Sequence, residues 1–135
     1  MYIIKLYFLK ILKKLNLLLM FNFSLTIRFN NSKIKIPFIN GSGLTNFVLK
    51  RDWLDSMIEL FVKNDDVTFI DVGVNIGQTL IRVKTAYPAA NYLGFEPNST
   101  CTSYAQQLIK TNKFSNCVIQ NCRANASKKI LNLIA

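Results

Sequence analysis

The 135-residue chain contains no histidine, which excludes metal sites and catalytic triads built on imidazole within it. It has no acidic residue before Asp52. The longest charge-free run near the N-terminus, Leu15 to Ile27, is 13 residues, short of the roughly 20 that a bilayer span needs. No alanine precedes Ala86, so no small-x-small site follows the apolar N-terminus and a cleaved signal is not expected. The three cysteines, Cys101, Cys117 and Cys122, form no C-x-x-C pair. They read as free thiols in a reducing, cytoplasmic setting, with Cys117 and Cys122 on opposite faces of a strand.

What is present is a foldable chain. Half of the residues are hydrophobic, against the composition of a disordered segment. The length fits one domain that can bury a core. The net charge of +10 is unevenly spread. Residues 1–51 carry nine Lys and Arg, whereas all seven acids lie between Asp52 and Glu96. A basic chain favours nucleic acid or an anionic surface, but here the acids gather around a glycine motif, where a cation-bearing ligand would want them.

Three stretches follow. Residues 1–23 form a basic amphipathic helix, because Lys5, Lys10, Lys13, Lys14 and Asn16 fall within about half the circumference at roughly 100° per residue. It is expected to pack on its own domain or on a partner protein, with peripheral membrane association through residues 1–20 as the alternative. Residues 24–63 hold an entry hairpin and a helix. Ser24 to Ile39 reads as two strands around Asn30-Asn31, since asparagine tolerates positive φ. Ile39 to Leu44 (INGSGL) is a loop. Arg51 to Lys63 has helical spacing, with Asp52 at its start and Lys63 at its end.

Residues 64–135 change grammar. Val67 to Gly73 (VTFIDVG) is a continuous apolar strand, a pattern expected of burial on both faces. A helix from Ile76 to Ala86, a strand from Asn91 to Glu96, a helix from Ser99 to Thr111 and a strand from Asn116 to Asn121 follow, with a fourth strand at Ile130 to Ile134. A serine or threonine start suits the cap of the second helix. This order predicts an α/β fold, a Rossmann-like doubly wound sheet of right-handed βαβ units.

In such sheets ligands sit outside the carboxyl ends of the strands. The stretch D-x-G-x-N-x-G, Asp71, Gly73, Asn75 and Gly77, lies at that edge. Gly73 permits a sharp turn. Gly77 lets a ligand or a neighbouring backbone approach the helix start, whose free N–H groups suit a carboxylate or phosphate. Glu96 closes the next strand, 19 residues after Gly77, where a carboxylate can accept both hydroxyls of a ribose. The alternative is an ordinary strand-to-helix turn, which the placement of Glu96 argues against. A pyrophosphate would disfavour the aspartate. S-adenosylmethionine (SAM) carries a sulfonium, an ammonium, a carboxylate and a ribose, and fits better.

These residues, FIDVGVNIGQTL, YLGFEPN and NCVIQN, resemble the FkbM-type SAM-dependent methyltransferases. The upstream IPFINGSGLTNF resembles that family's entry segment. The resemblance covers about residues 30–135. It implies a class I methyltransferase fold with strand order 3-2-1-4-5-7-6, and O-methylation of a sugar, glycan or small-molecule hydroxyl. It places Asp71, Gly73, Asn75 and Gly77 in the first SAM-binding motif and Glu96 at the ribose. Pro97 and Asn98 then lie beside the adenine, and Gln78 and Thr79 near the methionine carboxylate. Val74 stands where the family often has alanine. No catalytic base, no metal and no nucleic-acid partner is assigned; a D/N-P-P-Y-type motif is absent. The family continues for further strands, so the chain is expected to be a truncated form with its first core strand as an uncovered apolar edge. The competing expectation is a non-catalytic fragment that binds a partner or membrane surface through the N-terminal helix.

Overall fold

A computed structural model describes residues 2–62 and 66–122. Helix α1 (Tyr2–Lys14) leads through a short 3-10 turn (Leu17–Leu19) into strands β1 (Phe23–Phe29) and β2 (Ser32–Phe38). Helices α2 (Leu44–Phe47) and α3 (Trp53–Phe61) precede β3 (Thr68–Val72), α4 (Gln78–Ala86), β4 (Asn91–Glu96), α5 (Ser99–Asn112) and β5 (Cys117–Asn121).

The hairpin forms where the asparagines predict it. β1 and β2 pair antiparallel from Phe23↔Phe38 to Phe29↔Ser32. Asn30 and Asn31 both take positive φ, 46° and 61°, the two-residue turn whose twist matches the flanking strands. Helix α1 stops because Asn16 turns left-handed at φ 56°. Asp52 caps α3 by accepting from the Leu54 N–H at 2.9 Å, and Asp55 accepts the Asp52 N–H at 2.9 Å, a reciprocal cap. The short helix α2 begins at Leu44, the last residue of the predicted loop. Asn98, rather than a serine or threonine, caps α5: its side-chain oxygen accepts from Thr100 N–H at 2.9 Å and Cys101 N–H at 3.3 Å. Lys63 and the strand expected at Ile130 to Ile134 lie outside the described residues.

The second sheet is parallel, in the order β3-β4-β5. Both crossovers step in the same direction, and right-handed connections then place both helices on one face. Tyr92, Gly94 and Ile119 on that face are buried. On the other face Ile70, Leu93 and Val118 share one register line, with Ile70 56% and Val118 50% exposed. The continuous apolar run of β3 is thus covered on one side only, not on both as its composition predicts: Ile70 and Val72 stay exposed on the second face, where only Phe95 of β4, beside Val72, is buried among the described β3 and β4 residues. β3 is also the sheet edge among the described residues, and its Val72 is 82% exposed.

One apolar cluster joins all three stretches, through residues such as Leu9, Ile36, Phe38, Leu80, Ile81 and Leu108. Polar contacts pin the hairpin to α5. The Asn112 side chain accepts from the Lys35 N–H and donates to the Lys35 carbonyl, both at 2.8 Å, continuing the edge of β2 as another strand would. Tyr104 donates its hydroxyl to the Pro37 carbonyl at 2.8 Å. Arg82 of α4 is buried, pairs with Asp55 and, at 2.7 Å, with Asp52, and lies 5.6 Å from the Phe29 ring centroid. These bonds orient α4 and α5 beneath the sheet and so fix the loops at the carboxyl ends of β3 and β4.

Candidate functional site

The loop after β3 runs along the end of β4. Gly73 donates its N–H to the Phe95 carbonyl at 2.8 Å, prolonging the β3–β4 ladder past the last paired residue. Gly73 has φ 92° and a Cβ placed there would meet no atom within 4 Å. Its position opens to free space, so packing does not account for the glycine beyond its backbone angle. Gly77 differs. Its φ is 79°, and an added Cβ would lie 3.0 Å from Leu108 Cδ2, so the turn into α4 favours glycine and a larger residue would press on Leu108 of α5. The Ile81 N–H donates to the Gly77 carbonyl at 3.0 Å, as the first turn of α4.

Glu96 is the hub. It is 6% exposed and ends β4. One carboxylate oxygen accepts the Asn75 N–H at 2.7 Å and the other the Asn98 N–H at 2.8 Å. A carboxylate offers about four lone-pair sites, so each oxygen keeps one for a further donor. The backbone carbonyl of Glu96 accepts from Thr102, Asn121 and Cys122. The carboxylate is therefore held in place before any ligand arrives.

Asp71 is the penultimate residue of β3, inside the strand and not in the turn. It shares its sheet face with Tyr92, whose hydroxyl donates to it. The Tyr92 ring reaches Asp71 across Gly94, where an added Cβ would lie 3.1 Å from the Tyr92 ring. Burial pushes the Asp71 carboxyl above its usual range; the Tyr92 hydrogen bond opposes the rise and the Glu96 charge adds to it. Tyr92 is raised in turn, first by burial and then by Asp71. Among the described residues neither carboxylate has a basic side chain within ion-pair distance. A cationic, hydroxyl-rich ligand would relieve that repulsion.

No family model matches the chain, and no curated protein is similar to it. Solved structures share its architecture. A proposed caffeoyl-CoA O-methyltransferase from Staphylococcus aureus superposes with a TM-score of 0.52 at 23% identity, over 63% of this chain and 41% of that one. The fold is the Rossmann-like fold of methyltransferases. Weaker likenesses, which carry no argument alone, include TYW2 of M. jannaschii in complex with AdoMet, with TM-score 0.47 and 17% identity over 77% of this chain and 45% of that one. Another is a proposed O-methyltransferase from Klebsiella pneumoniae, with TM-score 0.47 and 15% identity over 58% and 36%. The chain spans less than half the length of each of these structures.

Within this methyltransferase fold, the structure brings Asp71, Gly73, Asn75, Gly77 and Glu96 to one edge. Gln78 opens α4 and is half-buried, with Thr79 beside it. Pro97 is exposed. The Asn98 side chain already serves as the α5 cap, which leaves its backbone N–H on Glu96 as its tie to the site. Sequence reasoning missed Tyr92, Gly94 and Asn46. The first two were readable as alternate positions of Y-x-G-x-E on one strand face. Asn46, which donates to the Ile76 carbonyl at 2.7 Å, had no sequence signal: it reaches the turn from a helix 30 residues upstream.

Proposed function

We propose that this chain is the cofactor-binding part of a SAM-dependent methyltransferase of FkbM type, acting on a hydroxyl of a sugar, glycan or other small molecule. The observation that carries the reading is Glu96. It is buried at the carboxyl end of β4, fixed by the Asn75 and Asn98 N–H groups, and retains an acceptor site on each oxygen. That arrangement suits a vicinal diol such as a ribose. The open position at Gly73 and the two carboxylates, neither with a basic side chain within ion-pair distance among the described residues, fit a molecule that carries a sulfonium, an ammonium and a ribose.

In this proposal Glu96 binds the ribose hydroxyls. Pro97 and Asn98 flank the adenine, while Asp71 and the start of α4 at Gln78 and Thr79 face the methionine portion. SAM, when bound, supplies an electrophilic methyl group on a sulfonium. The chain's own contribution is orientation: a cradle fixed in advance holds the donor so that an acceptor oxygen can approach in line.

Thermal unfolding of the full chain with SAM, S-adenosylhomocysteine or NAD tests the reading. Stabilisation by the first two but not by NAD is expected, rising with ligand concentration. Stabilisation by NAD alone would make the site a dinucleotide cradle. Indifference of the folded chain to all three would remove the cofactor assignment.

A further inference from the structure

Helix α1 is docked by its narrow side. Leu9 is 1% exposed within the core, and Leu6 and Leu12 are partly buried against it. The wide apolar side points outward. Ile4, Phe8, Ile11 and Leu15 are exposed and follow one another at spacings of four, three and four residues, which places them in one stripe opposite Leu9. Tyr7 lies beside the stripe, and Met20 and Phe21 extend exposed apolar surface past the helix end. Scattered apolar residues are ordinary on a protein surface, but a contiguous stripe of this kind marks an interaction site.

Charge identifies the occupant. Lys14 flanks the stripe on one side and Lys5 on the other, with Lys10 further round beyond Lys14, and all are exposed. Residues 1–51 contain no acid. Packing two copies face to face would therefore place lysines against lysines with no local counter-charge, whereas an anionic lipid surface neutralises them. A groove of about 340 Å³ between α1 and β1, lined by Phe8, Leu12, Phe21, Phe23 and Leu25 with Lys5 among them, continues the apolar surface. With 13 residues, α1 is about 20 Å long, and among the described residues no helix is long and apolar enough to cross a membrane.

We infer that α1 lies in the plane of an anionic membrane surface, its Ile4–Phe8–Ile11–Leu15 stripe inserted at the acyl boundary and its lysines on the headgroups. The inference is independent of the cofactor reading, since either can fail alone.

Vesicle flotation of the full chain is the test, using phosphatidylcholine alone and phosphatidylcholine mixed with phosphatidylserine. Flotation with the anionic vesicles, weakened by salt, is expected. Phe8→Asp/Ile11→Asp and, separately, Lys10→Glu/Lys13→Glu/Lys14→Glu should each reduce partition by about ten-fold or more. All the altered side chains are exposed, so circular dichroism should show an unchanged fold. Should the aspartate variant misfold, the glutamate variant, with its apolar stripe intact, still decides the matter. The inference is overturned if the chain ignores both vesicle types, or if lysine reversal leaves partition unchanged. A concentration-dependent dimer that Phe8→Asp abolishes, in a chain indifferent to vesicles, would assign the face to a second copy instead.

Discussion

The Glu96 carboxylate accepts the backbone N–H of Asn75 at 2.7 Å, a bond from the end of one strand into the loop after its neighbour. Asn75 sits at φ 50°, a conformation open to asparagine at modest cost. The same carboxylate holds Asn98, so one side chain sets the relative position of both loops.

Glu96→Ala leaves the Asn75 and Asn98 N–H groups without their acceptor. Losing a charge-assisted bond costs about 1–3 kcal/mol, and the variant should lose about that much stability in urea titrations. Glu96→Gln keeps one acceptor oxygen and should fall between the two. Equal midpoints for all three proteins would show that the bonds contribute nothing.

Gly94 has a tight neighbour. A Cβ there would lie 2.5 Å from Val74 Cγ2, and Val74 is buried beneath the site loop. Gly94→Ala is expected to destabilise by about 1–3 kcal/mol through overpacking. Val74→Ala removes the obstructing methyl groups, so the double variant should recover much of the loss. A denaturant double-mutant cycle measures this coupling; simple additivity would mean that the two residues do not contend for the same space.

Arg82 and Asp55 are both buried and paired, and Asp55 also completes the α3 cap. Arg82→Met strands a buried carboxylate and should cost about 3–5 kcal/mol. Adding Asp55→Asn should return part of that loss by removing the unpaired charge. If Arg82→Met is nearly neutral, the pair does not hold α3 against α4.

Asp71 gives a pH signature. Its folded pKa is raised above 3.8, chiefly by burial, so the folded chain binds that proton more tightly than the unfolded chain does. Its contribution is therefore most favourable at low pH and is lost as pH climbs from the unfolded value through the folded one. Asp71→Asn removes this titration while keeping an acceptor for Tyr92. Its stability relative to the native chain should improve across that window and then level off. A difference that stays constant or narrows as pH rises would contradict the assignment.

Much of this arrangement was legible in the sequence because it depends on local rules. The paired asparagines announced the hairpin turn, Asp52 the start of α3, and the D-x-G-x-N-x-G spacing the loop that Glu96 now holds. The hydrophobic run of β3 misled about its second face, since composition reports what a strand could bury and not what covers it. Here both crossovers run one way and leave Ile70, Val72 and Val118 exposed. The outward stripe of α1 was hidden for a related reason. The lysines marked an amphipathic helix, but which side docks was decided by Leu9 fitting the core, a tertiary fact without a sequence pattern. The Tyr92–Asp71 bond needed the register of two strands, although the alternation of Tyr92, Gly94 and Glu96 already placed them on one face.

The central claim is that Glu96 receives a nucleoside diol. Calorimetric titration of S-adenosylhomocysteine into the full chain and into Glu96→Gln, both checked for native near-ultraviolet dichroism, tests it most directly. Removing the carboxylate should weaken binding by about 1–3 kcal/mol, a loss of roughly 5- to 150-fold. Equal affinity in the two folded proteins, or no binding by the native chain, would contradict it.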